Sequence, residues 1–319
     1  MKSNKPVLII STSNDNSTNN VIDWLTYRNK DFLRLNSEDI IDDVCIKISD
    51  FESDFEFTFK KKKYLLSEFN SFWYRRGIFK IKSNSENRNE LDKAIANYRS
   101  IQNLSLYNYF FKSIRSKTHI NKYHDIFINK LDILLIAMKA GFQIPRSILT
   151  KNPNDLSQKI KVITKSFTDH QFTFNNEGNS YYAGAMTIKI NDKILSNEFN
   201  YSFFQEMVKK KFEIRLFFLH DKIFASAVFS QNDKKTIIDF RNYNNDKPNR
   251  VVPIKLPDSI SVMIKTLMNS IDMNIASIDI IYDENKNYVF LEINPVGQFE
   301  QVSYPCNYYL EREIAKILA

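Results

Sequence analysis

A chain of 319 residues is long enough to bury the cores of about two domains. Its 45 lysines and arginines outnumber 37 aspartates and glutamates; that excess suits anionic partners such as nucleotides or acidic peptides, but lacks the dense basic stripe of a nucleic-acid binder. Cys45 and Cys306 form neither a disulfide framework nor a metal spacing, the four histidines form no HxxxH or HxH pattern, and no apolar run reaches a membrane span, so a cytoplasmic protein with no thiol nucleophile, zinc site or membrane partner is expected.

The chain opens on Val7-Leu-Ile-Ile10, too short for a signal-peptide core and read as a buried strand. A polar loop over 11–18 and a helical stretch over 20–27 follow, an α/β beginning. Residues 32–35 predict a second strand. Alternating Phe51, Phe55, Phe57 and Phe59 predict edge or hairpin strands, with Lys60 to Lys63 as their solvated end. Ser71-Phe-Trp73-Tyr-Arg75-Arg76-Gly77 reads as a strand leaving the core with two cations at its end, either binding acidic peptide or anchoring an interface. A helix is expected over 87–116, closing an N-terminal α/β domain at residue 115.

Residues 128–140 predict a helix capped by Gly141. Extended structure resumes at Ile144. Residues 161–165 form a strand ending at Lys165, 172–193 a hairpin around 175–179, and 213–219 with 223–229 another hairpin. An amphipathic helix over 307–318 closes the chain.

The densest chemistry lies in the segment Tyr288-Val-Phe-Leu-Glu292-Ile-Asn294-Pro-Val-Gly297-Gln298. On a strand, side chains alternate between faces, so Glu292 and Asn294 point one way and Leu291 and Ile293 the other. If residues 284–287 make a four-residue loop, Asp279 falls opposite Glu292. Three oxygen ligands then share a face, a set that suits Mg2+, and bare carboxylates among Ile and Leu are costly unless paired or metal-bound. Upstream, Lys130 opens a helix, Lys165 ends a strand, Glu206-Met207-Val208 is a short apolar segment with one acid, and Glu213 and Arg215 share a strand face.

That order resembles the ATP-grasp superfamily over about 125–298. The blocks at 8–15, 72–76, 144–147, 204–206, 212–215, 239–241 and 290–298 extend the likeness to its peptide-modifying ligases, the graspetide or microviridin-like maturases of the grasp-with-spasm type. The resemblance implies an α/β (α+β) chain with a Rossmann-like pre-ATP-grasp domain over 1–115, then a two-subdomain ATP-grasp fold over 116–205 and 206–319. It implies that Lys130 and Lys165 contact ATP, that Glu206, Met207 and Val208 form the adenine hinge, and that Glu213 holds the ribose. Arg215 faces the triphosphate, and with Arg241 steadies the transferring phosphoryl group and the later oxyanion. Asp279, Glu292 and Asn294 ligate Mg2+. Gly178 and Gly184 are the only glycines in the candidate phosphate-covering stretch over 167–185, which departs from the Gly-rich family pattern.

The activity implied is ATP-dependent joining of Asp or Glu side chains of a ribosomal precursor peptide to Ser, Thr or Lys side chains, by a possible homodimer. The alternatives are a small-molecule or glutamate-adding ligase with the same ATP site, and a non-catalytic nucleotide-dependent binding protein. The block at 72–76 favours the peptide ligase, and the complete set of candidate ligands places the non-catalytic reading last.

Overall fold

A computed structural model describes residues 5–49, 52–82, 89–122, 128–156, 161–168, 172–176, 179–183, 187–190, 199–231, 233, 236, 246 and 248–319. The chain divides into two compact units, Met1–Ile126 with Tyr309–Ala319, and Phe127–Tyr308.

The first unit begins with β1 (Val7–Ser11), buried at every position. That is the pattern of a strand covered on both faces in a parallel sheet. α1 (Asn16–Tyr27) follows, capped by Asp15, whose side chain accepts the Thr18 N–H. After β2 (Phe32–Asn36) and the short β3 (Ile40–Ile41) comes a meander of β4 (Asp43–Ser49), β5 (Glu52–Phe59) and β6 (Lys62–Leu65). The alternating phenylalanines of β5 turn Phe55, Phe57 and Phe59 into the core. β7 (Ser71–Tyr74), β8 (Lys80–Ile81), α2 (Glu90–Ser113) and β9 (Thr118–Ile120) complete the unit's first pass. The main sheet has the order β2-β1-β7-β9 and is parallel throughout. The terminal helix Leu310–Leu318 packs on α1 and belongs to this unit. It is separate from the helix over 300–306, because Asn307 and Tyr309 both take left-handed conformations, φ 53° and 51°.

The second unit opens with α3 (Lys130–Lys139), whose N-cap Asn129 accepts the N–H groups of Leu131 and Asp132. β10 (Ser147–Thr150), β11 (Val162–Lys165), β12 (Phe172–Asn176), β13 (Asn179–Ala183), β14 (Ile188–Lys189) and β15 (Ser202–Glu206) follow. β12 and β13 form the expected hairpin, while the others make a sheet of order β10-β15-β11-β14. β16 (Lys210–Leu219), β17 (Lys222–Phe229), β18 (Arg250–Ile254), α4 (Asp258–Ser270), β19 (Ile275–Asp283) and β20 (Tyr288–Asn294) build an antiparallel sheet of order β18-β17-β16-β19-β20. α5 (Glu300–Cys306) follows, and the terminal helix is α6.

One face of the five-stranded sheet is apolar. Ile214, Leu216, Phe218, Ala276, Ile278, Ile280, Phe290 and Ile293 pack there with Ile133, Leu134 and Ala137 of α3 and Ile260, Ile264, Leu267 and Met268 of α4. Each of the larger side chains buried there contributes about 1.5–3 kcal/mol. Because side chains alternate, the residues between them face the other way, and these carry the polar chemistry. Among the described residues no helix is long and apolar enough to cross a membrane.

Candidate active site

The polar face of the sheet is set by the β19–β20 hairpin. Asp283 N–H donates to the Asn287 carbonyl at 3.0 Å, and Lys286 has φ 69°. The loop is therefore three residues, 284–286, ending in a left-handed position, a common hairpin connection. The expected four-residue loop is one residue too long. Taken alone, the observed turn would pair Asp279 with Leu291. The register instead shifts between Asp279 and Ile280: Ile280 pairs with Phe290, and Asp279 with Glu292. Leu291 is the extra residue of a β-bulge. The bulge carries Glu292 to the face of Asp279 while Phe290 and Ile293 both stay in the core. Leu291 and Ile293 line a small cavity with Glu292, Lys130, Lys165, Ile128 and Phe203.

Two lysines from other elements meet Glu292. Lys165 Nζ lies 3.5 Å and Lys130 Nζ 3.8 Å from Glu292 Oε2, with all three side chains less than one fifth exposed. Lys130 stands at the start of α3, and Lys165 at the end of β11, opposite Phe203. On the next strand, Arg215 lies opposite Asp279. Its Nη1 donates to both carboxylate oxygens, at 2.8 and 2.7 Å, and both residues are buried. Charge-assisted contacts of this kind are among the stronger hydrogen bonds and fix the carboxylate's position.

Asn294 sits opposite Ser277 on the same face. The chain then turns at Gly297, φ 66°, where a Cβ would lie 3.1 Å from Ile275 Cγ1 and 3.2 Å from Phe217 Cε2. Two carboxylates and a carboxamide on one face of the β19–β20 hairpin are all oxygen donors, and that donor chemistry fits a hard divalent cation such as Mg2+. Among the described residues no group of three His, Cys, Asp or Glu side chains gathers for a metal, so the carboxamide is needed to complete the set.

Glu213 shares this face, and its carboxylate contacts Lys210 Nζ and accepts from Ser230 Oγ at 2.9 Å. Burial pushes its carboxyl above the ordinary value, against the opposing pull of Lys210 and Ser230. Lys210 and Ser230 were not read from the sequence. A register shift between Lys210 and Phe212 brings Lys210 to Glu213, and nothing in the local pattern announces it.

Glu206 stands apart from the lysines. It alternates with Gln205, so its side chain lies on the Phe204 and Val162 face of the small sheet, opposite the face of Phe203 and Lys165. Its carboxylate is 3.8 Å from Arg146 Nε, and both side chains are well exposed. Met207 N–H donates to the Lys161 carbonyl at 2.8 Å, and Val208 follows outside the strand. Arg241, with Asp239, lies outside the described residues, as does much of the 167–185 stretch.

In the first unit, Trp73 and Arg75 are buried, and Arg75 and Arg76 both approach Asp15.

Residues 6–127 match the family model of the MvdD pre-ATP grasp domain, and residues 128–318 that of the RimK-like ATP-grasp domain. No curated protein matches the chain. Among solved structures, the chain is similar to a RiPP-associated ATP-grasp ligase of Chryseobacterium gregarium in complex with ADP and a leader and core peptide. The TM-score is 0.77 at 23% identity, over 98% of this chain and 95% of that one. It is also similar to the macrocyclase MdnC of Microcystis aeruginosa MRC bound with its precursor peptide MdnA, with TM-score 0.75 and 25% identity over 98% of both chains. The ATP-grasp ligase PsnB, complexed with a phosphomimetic variant of its minimal precursor, Mg and ADP, matches with TM-score 0.71 at 14% identity, over 98% and 97% of the chains.

Proposed function

Because the chain belongs to the RimK-like ATP-grasp family, we propose that it is an ADP-forming peptide macrocyclase. It joins Asp or Glu side chains of a ribosomal precursor peptide to Ser, Thr or Lys side chains, making ω-ester or ω-amide rings. The carrying observation is the convergence of Lys130 and Lys165 on Glu292, beside the Arg215–Asp279 pair, on one face of a hairpin. Beside it stands a first unit matched by the MvdD pre-ATP grasp model. The small sheet and the five-stranded sheet are read as the two ATP-grasp subdomains, dividing at Glu206.

A carboxylate does not acylate an alcohol or amine in water. Taking the γ-phosphoryl group of ATP turns its oxygen into a leaving group, and the hydroxyl or amine then displaces phosphate. Protein groups contribute by placing the reactants and offsetting charge. Lys130 and Lys165 supply the cations for the phosphates, and Arg215 holds Asp279 in place. Asp279, Glu292 and Asn294 would hold Mg2+, which when bound supplies Lewis-acid neutralisation of phosphate charge. Met207 and Val208, with Glu206, are assigned to the adenine edge, Glu213 to the ribose, and Arg241 to the phosphoryl group. An enzyme of this kind works where ATP is made available, in the cytoplasm.

A homodimer is proposed from α2. Leu91, Ile95, Tyr98 and Ile101 are exposed along its first half, where no residue is fully buried. An antiparallel pair of these helices, crossing near the middle of the stripe, would cover it.

The test is mass spectrometry of the precursor encoded beside this gene after incubation with enzyme, ATP and Mg2+. Loss of mass in whole-water steps, reversed by alkali for ester links, is expected. A gain equal to an added amino acid would replace this reading with the glutamate-adding one.

A further inference from the structure

The parallel sheet of the first unit has a switch point. β2 joins β1 on one side and β7 joins it on the other, so strand order reverses at β1. In open parallel sheets, ligands settle at the carboxyl ends of the strands at such a point. Here those ends are Ser11, Asn36 and Tyr74, and three arginines gather around them. Arg75 Nε lies 3.3 Å from Asp15 Oδ2, and both side chains are almost wholly buried. Arg76 Nε lies 2.7 Å from the same oxygen, yet its side chain is 39% exposed. Arg34 donates to Asn19 Oδ1 at 2.7 Å and to the Thr12 carbonyl. Asp15 Oδ1 meanwhile accepts the Thr18 N–H at 2.9 Å.

Asp15 therefore contacts Arg75, Arg76 and a helix start, and the hydrogen-bond partners of Arg34 are neutral. Asp15, then Glu38 and Asp39, add a longer-range field at Arg34. The Glu38 carboxylate is itself held by the Ser13 N–H and the Ser37 hydroxyl. Gly77, at φ 71°, lets the chain pass so close over these strand ends that a Cβ there would sit 2.9 Å from Ser37 Cβ. The two arginines just before it are thereby fixed.

What surrounds the arginines selects the ligand. A phosphate cradle wants a Gly-rich turn and an open helix N-terminus. The β1–α1 loop has no glycine, and Asp15 places a negative charge where a phosphate would sit. A planar guanidinium, with one edge on Asp15 and the remainder partly in solvent, matches a carboxylate bidentately. We propose that Arg76, oriented by Asp15 and backed by Arg75 and Arg34, receives a side-chain carboxylate of an acidic peptide at the carboxyl edge of this sheet. The proposal rests on the peptide-ligase reading and gives the first unit a part in gripping the substrate.

The test titrates the full-length protein with fluorescein-labelled hexaglutamate, using unlabelled hexaglutamate and hexaglutamine as competitors. Hexaglutamate should compete and hexaglutamine should not. Arg76→Met should weaken binding by about tenfold or more, the scale of a lost charge-assisted pair. Arg76→Lys, which keeps the charge and fold but loses the fork, should fall between. Joint Lys60→Gln and Lys61→Gln, on an exposed turn, should change nothing. Undiminished binding in both Arg76 variants, an equal loss in the lysine variant, or no binding by the wild-type chain would overturn the subsite. ATP affinity, measured by calorimetry, forms a separate arm and should be unchanged in the Arg76 variants. A wild-type chain that binds hexaglutamate at Arg76 but not ATP would sink the ligase reading while supporting the carboxylate subsite.

Discussion

Glu292 is one carboxylate facing two lysines, and the proposed chemistry depends on that balance. Glu292→Gln should abolish turnover while the chain stays folded, since the side chain sits at a strand mouth; a wild-type rate and Mg2+ dependence would remove it from the metal set. Lys165→Met should weaken ATP binding strongly, read by calorimetry on the folded variant. Arg215 is a different case. Arg215→Met leaves Asp279 buried without its guanidinium, and breaking such a pair costs about 3–5 kcal/mol, measurable as a lower urea midpoint. Glu213 adds a pH dependence. Its folded carboxyl holds its proton more tightly than in the unfolded chain, because burial raises its pKa. Its contribution is fully present below the ordinary glutamate value and is lost as pH rises toward the raised one. Glu213→Gln should flatten that slope in urea midpoints taken from acidic to neutral pH. Alternation along a strand made the shared face of Glu292 and Asn294 legible from the sequence. The contacts of Lys130 and Lys165 were legible only as an order of motifs, since they join elements far apart in the chain. The Asp15 contacts to Arg75 and Arg76 left no local signal at all.

At the scale of the element, the β19–β20 hairpin shows how a right pairing can be expected for a wrong reason. A four-residue loop and a three-residue loop followed by a one-residue bulge give the same partner for Glu292. The sequence marks the turn with Asp, Glu and Asn but does not announce the bulge, because Leu291 fits a regular strand equally well. Lys286 carries the left-handed backbone of the turn. Lys286→Gly removes that steric penalty and should raise stability by about 0.5–1 kcal/mol, with no change in activity. Gly297→Ala should do the reverse, losing about 1–3 kcal/mol, because its positive φ is joined by contacts to Ile275 and Phe217. Thermal melts of both variants check the pair. No helix was expected over α4, although Ile260, Ile264, Leu267 and Met268 follow helical spacing and all are buried.

For the whole molecule, the exposed stripe on α2 sets the expected assembly. Light scattering should find a dimer, and joint Ile95→Glu and Tyr98→Glu should give monomers that remain folded; a monomeric wild-type chain would remove the stripe from the proposal. The α/β character of both units was legible because buried strands and amphipathic helices carry distinct periods. The placing of α6 was not, since such a helix reads the same whichever core receives it. That membership has a consequence for synthesis. Residues 127–308 form a unit inserted between the two parts of another. The ribosome therefore delivers the whole inserted unit before it delivers the α6 segment that packs on α1. The first unit begun is thus the last completed, and its apolar surface waits for α6 throughout the intervening translation. Truncation before Leu310 should leave a nascent-like chain that binds chaperones through its oldest domain, while the younger one folds normally.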